Sequence, residues 1–152
     1  MISTFKKFLE NTLTGKTENN ALSIEKQLQV ATAALFVEMT LADTEVLPEE
    51  KASVETSLTE AFNLTASELS EIMALAKEKS DAATCLHEFT IIINKNYSPD
   101  QKIEVIKLLW RIAYADGQLD KYEELMIRKV SDLISVSHSK MIMAKHCERP
   151  TP

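Results

Sequence analysis

The sequence predicts an all-α protein, and three observations carry that prediction: glycine and proline are scarce, helix-forming residues dominate, and apolar residues recur at helical spacing. Two glycines and four prolines in 152 residues supply few of the turns that β-hairpins demand. Alanine, leucine, glutamate and lysine, which favour helix, are abundant. Because a chain of this length can bury a core as one domain, we expect a single bundle of about seven or eight helices.

Net charge and hydropathy limit the partners and the cellular location that the sequence predicts. A net charge of −6 with dispersed lysine and arginine argues against a nucleic-acid partner, which would need concentrated positive charge. No apolar run approaches the roughly 20 residues that span a bilayer, and Lys6, Lys7 and Glu10 interrupt the N-terminal segment before a signal-peptide core can form. Cys85 and Cys147 show no paired spacing, so we expect free thiols. The sequence therefore predicts a cytoplasmic protein without a transmembrane segment.

Residues 1–20 are predicted to form an amphipathic appendage and linker ahead of a helical domain at 21–148. The appendage has five apolar residues at helical spacing: Ile2, Phe5, Phe8, Leu9 and Leu13. Such a stripe usually faces a core. Contact with a partner or a membrane surface through residues 2–13 is the alternative, although a membrane would favour more cationic flanks than this segment has.

Local signals predict where most helices begin. A broadly apolar helix from about 21 to 42 indicates a central position, and Pro48 suits the first turn of the next helix. Thr65 with Glu68, and Ser98 with Gln101, have the spacing of a capping box. Further helix starts are predicted at Asp81, Asp120 and Ser137.

Trp110 and Arg111 are predicted to serve the structure of the helix that begins after Ser98. A tryptophan at this position in the apolar pattern is most often a core anchor. Arg111 is placed to pair with a nearby carboxylate and to lower its proton affinity.

Residues 35–54 in one half of the chain align with residues 108–127 in the other without a gap. The aligned pairs are Leu35 and Leu108, Met39 and Ile112, Ala42 and Ala115, Asp43 and Asp116, Val46 and Leu119, Glu50 and Glu123, and Val54 and Ile127. A one-residue shift then brings Phe62 and Leu64 onto Ile134 and Val136. This pattern predicts two pseudo-repeated helical hairpins, whose packing about an approximate two-fold axis would give the two turns related environments.

Both turns of the repeat are rich in carboxylates. The acids are Asp43, Glu45, Glu49 and Glu50 in the first turn, and Asp116, Asp120, Glu123 and Glu124 in the second. Helix capping and favourable charge at helix N-termini account for most of them. Calcium and magnesium also take oxygen ligands of this kind, so a weak divalent-cation site is the second interpretation. Its candidate ligands are Asp116, Asp120, Glu123, Glu124, Asp43, Glu45 and Glu50.

The sequence gives little support for other metal-binding motifs or for catalytic motifs. An EF-hand loop needs glycine at its sixth position and glutamate at its twelfth, whereas the two turns offer Pro48 and Val54, or Lys121 and Ile127. Zinc binding through Cys85 and His87, or through His146 and Cys147, is disfavoured because such close neighbours cannot close one tetrahedral site from a regular helix. The sequence contains no serine elbow, glycine-rich phosphate loop or His-Glu-x-x-His motif. We therefore predict no enzymatic activity.

Two stretches resemble motifs of the TerB-like (tellurite-resistance protein B-like) family. They are Ala-Asp-Thr-Glu-Val-Leu-Pro-Glu-Glu at 42–50 and Leu-Trp-Arg-Ile-Ala-Tyr-Ala-Asp-Gly-Gln-Leu-Asp-Lys-Tyr-Glu-Glu at 109–124. The resemblance extends over about 28–146, and the first stretch departs from the pattern at Thr44, where the family usually has glycine, and at Leu47, where it often has an acid. It implies a helical fold, a link to tellurite and stress resistance, and a relation to the N-terminal TerB-like domain of the membrane-anchored co-chaperone DjlA.

The leading hypothesis is a non-enzymatic TerB-like module that binds an unidentified protein partner, with calcium or magnesium held weakly at the acidic turns. The second turn, 116–124, keeps the family pattern, while the first is predicted to serve mainly as scaffold. The alternative from another class is a metal-dependent hydrolase or transferase that uses the carboxylate cluster.

Overall fold

The computed structural model describes residues 4–13, 24–41, 48–75, 82–115 and 121–148, and within these ranges it contains eight helices and no strand. The helices are α1 Thr4–Leu13, α2 Ile24–Leu41, α3 Pro48–Phe62, α4 Ala66–Leu75, α5 Ala82–Asn96, α6 Pro99–Ala115, α7 Lys121–Leu133 and α8 His138–Glu148. The predicted all-α class is confirmed. None of the helices in this part of the chain is long and apolar enough to cross a membrane.

Helix α2 forms the centre of the bundle. Every residue from Val30 to Glu38 is buried, and α2 packs against α1, α3, α4, α5 and α6. A helix enclosed on several sides needs apolar residues around most of its circumference, which is why its sequence shows so broad an apolar face. The predicted central position is confirmed.

Helix α1 packs on α2 and α5. Leu9 is fully buried, and Phe8 is partly buried against the core. The apolar stripe therefore faces the core at these two positions, as such stripes usually do. The predicted boundary at residue 20 lies outside the described residues, and the division into appendage and domain stays a prediction.

The predicted capping boxes form. The Thr65 amide donates to Glu68 Oε1 at 2.9 Å, and the Glu68 amide donates to Thr65 Oγ1 at 3.1 Å. The same reciprocal bonds join Ser98 and Gln101 at 2.9 and 3.3 Å. These bonds satisfy amides that the first turn of each helix leaves without partners. The predicted starts at Asp81 and Asp120 lie outside the described residues.

The repeat extends to a third helix. Helix α2 packs on α3 and α4, and α6 packs on α7 and α8 in the same way. The α3–α4 and α7–α8 connections also match, because Asn63 (φ 51°) and Ser135 (φ 62°) both adopt the left-handed conformation. Contacts between α3 and α6 join the two three-helix units. The duplicated unit is therefore larger than the hairpin that the sequence predicts.

Helix α8 closes the bundle against α6. Trp110 is 2% exposed, and its Nε1 donates to the Met141 carbonyl oxygen at 3.2 Å. The burial confirms the predicted core anchor, and the hydrogen bond satisfies the one polar atom that an enclosed indole must pair.

Candidate cation site at the second acidic turn

The structure describes the carboxylates at the start of α7 and leaves most of the other candidate ligands outside the described residues. Those outside are Asp43, Glu45, Asp116 and Asp120, together with the side chain of Glu50. Glu123 and Glu124, the last two acids of the second acidic turn, lie in the first turn of α7. That the two turns have related environments therefore stays a prediction.

Glu123 is a buried carboxylate, with 5% of its surface exposed. Burying a charged carboxylate costs free energy unless positive charge or hydrogen-bond donors compensate it. The N-terminal end of α7 supplies part of that compensation through its positive partial charge. The capping interpretation of Glu123 depends on Asp120 and is untested, but burial distinguishes Glu123 from an ordinary solvated acid.

Glu124 is held by a lysine from α8. Lys145 Nζ lies 3.1 Å from Glu124 Oε1 and 5.3 Å from the centroid of the Trp110 ring. The two side chains of the ion pair are 29% and 41% exposed, so solvent screens their attraction and the pair contributes at most about 1 kcal/mol. A cation that uses Glu124 as a ligand would compete with this ammonium group.

Arg111 pairs with a carboxylate, as predicted, but the partner comes from α8. Its Nη2 donates to Glu148 Oε1 at 2.8 Å. This hydrogen bond raises the pKa of Arg111 above its ordinary value, with the nearby negative charge acting in the same direction. Arg111 therefore helps to fix the end of α8, and its partner is not one of the candidate cation ligands.

Glu38 is a second buried carboxylate that the sequence interpretation missed. It is 1% exposed on α2, and Cys85 Sγ on α5 donates to its Oε2 at 3.6 Å. A single acid within the apolar run from Val30 to Met39 was the available signal, since such a position is enclosed in a central helix. Both cysteines are free thiols, as expected.

Cys85 and His87, one of the two residue pairs considered for zinc, both lie on α5. Cys85 is 1% exposed, whereas His87, two residues later, is exposed. The two side chains therefore point to different sides of the helix, as the helical period requires. Within the described ranges, no group of three or more histidine, cysteine or acidic side chains is arranged to hold a metal ion.

The fold and the site define a class of protein: a helical bundle built from a duplicated three-helix unit, with two carboxylates in the first turn of α7. The family model described as tellurite resistance protein TerB matches residues 29–146. Because this match covers most of the chain, the protein belongs to the TerB family. Searches of curated proteins and of solved structures gave no significant match.

Proposed function

We propose that the protein is a non-enzymatic, cytoplasmic TerB-family module that binds a protein partner in a tellurite-associated stress response and holds a divalent cation weakly at its second acidic turn. The observation that supports the cation site best is the pair of carboxylates at the start of α7. Glu123 is buried, and Glu124 already binds one cation, the ammonium group of Lys145.

The chemistry of these groups suits a hard cation. Calcium and magnesium bind carboxylate oxygens, and a buried carboxylate such as Glu123 attracts a cation more strongly than a fully solvated one because the local dielectric is lower. The proposed ligand set is Asp116, Asp120, Glu123 and Glu124. Competition from Lys145 for Glu124 makes the site weak.

The first acidic turn contributes less in this proposal. Thr44 and Leu47 depart from the family pattern there. Asp43, Glu45 and Glu50 are then mainly capping and solvated acids, whose favourable interaction with a helix N-terminus is about 0.3–1 kcal/mol each. The two copies of the repeat have diverged in function while keeping the same helical frame.

Partner binding is proposed for the outer face of α7, where Leu125 follows the two glutamates. Leu125 is 49% exposed, and the exposed residues Lys121, Arg128 and Lys129 each lie one turn from it. An apolar side chain surrounded by charge is a common arrangement at the centre of a small protein interface.

Calorimetric titration of the full chain with calcium, and separately with magnesium, tests the cation site. Asp116→Asn should abolish binding because it removes a proposed ligand. Asp132→Asn is the matched control, since it neutralises an exposed carboxylate at the other end of α7. No measurable binding by the wild-type chain, or equal loss in both variants, would overturn the site.

A comparison of three baits tests the partner face: the wild-type chain, Leu125→Lys, and Met143→Lys, which changes an exposed apolar residue on α8. Cross-linking in tellurite-treated cells should recover a protein with the wild-type and Met143→Lys baits that Leu125→Lys loses. Recovery of the same proteins by all three baits would contradict the proposed face.

A further inference from the structure

The second three-helix unit has a small pocket at the place where the first unit has an ion pair. The pocket has a volume of about 110 Å³ and lies between the start of α6 and the α7–α8 connection. Ile103, Ile134 and Val136 supply its apolar lining, and Lys102 and Lys140 its charged lining. Two lysines therefore line one small cavity.

The internal repeat supplies a direct comparison within the same molecule. The apolar frame of the pocket has counterparts in the first unit: Val30 for Ile103, Phe62 for Ile134, and Leu64 for Val136. Val30, Phe62 and Leu64 are all buried. The connection between the last two members of each frame has the same left-handed residue, Asn63 or Ser135. The backbone and the apolar frame thus correspond in both copies.

The charges differ between the copies. In the first unit, Lys26 Nζ lies 3.1 Å from Glu68 Oε1, so these two charges balance each other. In the second unit, Pro99 takes the position of Lys26, and Lys140 takes that of Glu68. Lys102 adds another positive charge. The second copy has lost the carboxylate and gained an ammonium group.

This positive charge is not balanced within the pocket. The side chains of Lys102 and Lys140 form no ion pair within the described part of the chain, and none of the described residues that line the pocket is acidic. The acids at the start of α6, Asp100 and Glu104, line a different pocket with Glu25. Two like charges at one cavity repel each other, and an anion between them would replace that repulsion with attraction.

We propose that this pocket binds a compact oxyanion of the phosphate class. Lysine is a common phosphate ligand and acts there as a point charge, and a phosphate group carries up to two negative charges near neutral pH, which matches two ammonium groups. The small volume favours a single tetrahedral anion over an extended ligand. The described residues that line the pocket include none from the acidic turn at 116–124, and the proposal does not depend on the proposed cation.

Titration of the full chain with inorganic phosphate at constant ionic strength tests the proposal. Two-dimensional NMR should show saturable shifts of the Lys102, Ser135, Val136 and Lys140 amides. Lys102→Gln and Lys140→Gln should each weaken binding by about tenfold, since each removes one charge-assisted hydrogen bond. The control Lys51→Gln, an exposed lysine on α3, should bind like the wild type.

Reversing the charge at position 140 gives a stricter test. Lys140→Glu recreates the charge of the first unit at this position, so it should abolish phosphate binding while the helical circular dichroism spectrum is retained. Acetate at the same ionic strength should bind more weakly than phosphate. Absence of saturable shifts in the wild type, an equal loss in Lys51→Gln, or acetate binding as tight as phosphate binding would overturn the proposal.

Discussion

Asn63 and Ser135 share an uncommon backbone conformation at corresponding places in the two halves of the protein. Their φ angles are 51° and 62°, and each residue follows the last turn of its helix, α3 or α7. The left-handed conformation is unfavourable for residues other than glycine, and asparagine tolerates it better than most. Two such residues at matched positions indicate that the duplicated unit preserves its backbone path even where the side chains differ.

Glycine at position 135 should stabilise the protein. Ser135→Gly relieves a conformational cost of roughly 1–2 kcal/mol but raises the entropic cost of folding by about 0.5–1 kcal/mol, so we expect a net gain of up to about 1.5 kcal/mol. Asn63→Gly should gain less. The free energy of unfolding in urea measures both effects. Ser135→Ala is the control, because alanine keeps the left-handed cost, and an equal gain with alanine would contradict the explanation.

Removing the indole nitrogen of Trp110 should destabilise the junction between α6 and α8. Trp110→Phe removes the hydrogen bond to the Met141 carbonyl, which lies inside α8 and keeps the amide donor of the next helical turn, and we expect a loss of about 0.5–1.5 kcal/mol. Trp110→Ala should cost about 3–5 kcal/mol because a large buried side chain is lost. Urea unfolding followed by circular dichroism measures both losses. Tyr114→Phe is the control; a change there as large as in Trp110→Phe would contradict a specific role for the Nε1 bond.

The capping box at the start of α4 should make stability depend on pH. Burial raises the pKa of Glu68, but hydrogen bonds from the Thr65 amide and Lys26, together with the lysine charge, outweigh it and hold the pKa below its ordinary value of 4.5. A folded-state pKa below the unfolded value gives stability that is present above the unfolded pKa and is lost as pH falls through the folded pKa. The ionised carboxylate therefore stabilises the protein at pH 7.

Glu68→Gln isolates this contribution, because glutamine can still accept the capping hydrogen bond but carries no charge. The variant should be less stable than the wild type at pH 7, and the difference should shrink once the pH falls below 4.5 and approaches the folded-state pKa. Unfolding curves across this range measure it. Glu71→Gln, on the exposed face of α4, should follow the wild type, and a pH-independent loss in Glu68→Gln would contradict the mechanism.

Lys145 should limit the affinity of the proposed cation site. Lys145→Met frees Glu124 from an ion pair of up to about 1 kcal/mol, so calcium affinity should rise by up to about fivefold. Trp110 is the only tryptophan in the sequence and lies under Lys145, so calcium should change its fluorescence in the wild type. Lys129→Met is the control on α7, and unchanged affinity in Lys145→Met would show that Glu124 is not a ligand.

Short sequence patterns predict those features of the fold that depend only on residues close together in the chain. The boxes at Thr65 and Ser98 require only residues three apart, and their bonds form as expected. The contacts that hold α8 could not be predicted in the same way. Met141 and Lys145 are distant in sequence from Trp110 and Glu124, so only the packing of helices decides which groups meet.

The candidate site also has some features that the sequence predicts and others that depend on how the helices pack. The sequence predicted the acids at the start of α7 from their composition and spacing. It did not predict that Glu123 is buried or that Lys145 binds Glu124, because both depend on where α8 lies against α6 and α7. The burial of Glu38, in contrast, is indicated by the sequence itself, because this residue is a single acid inside an apolar run.

The central claim is that the second acidic turn binds a divalent cation and the first does not. A calcium titration of the full chain followed by two-dimensional ¹⁵N NMR tests it most directly. It reports residues 43–50 and 116–124 in one sample. We predict saturable shifts at Asp116, Asp120, Glu123 and Glu124, with smaller, non-saturating changes at Asp43, Glu45 and Glu50. Equal shifts at both turns, or no selective shift within 116–124, would contradict the account.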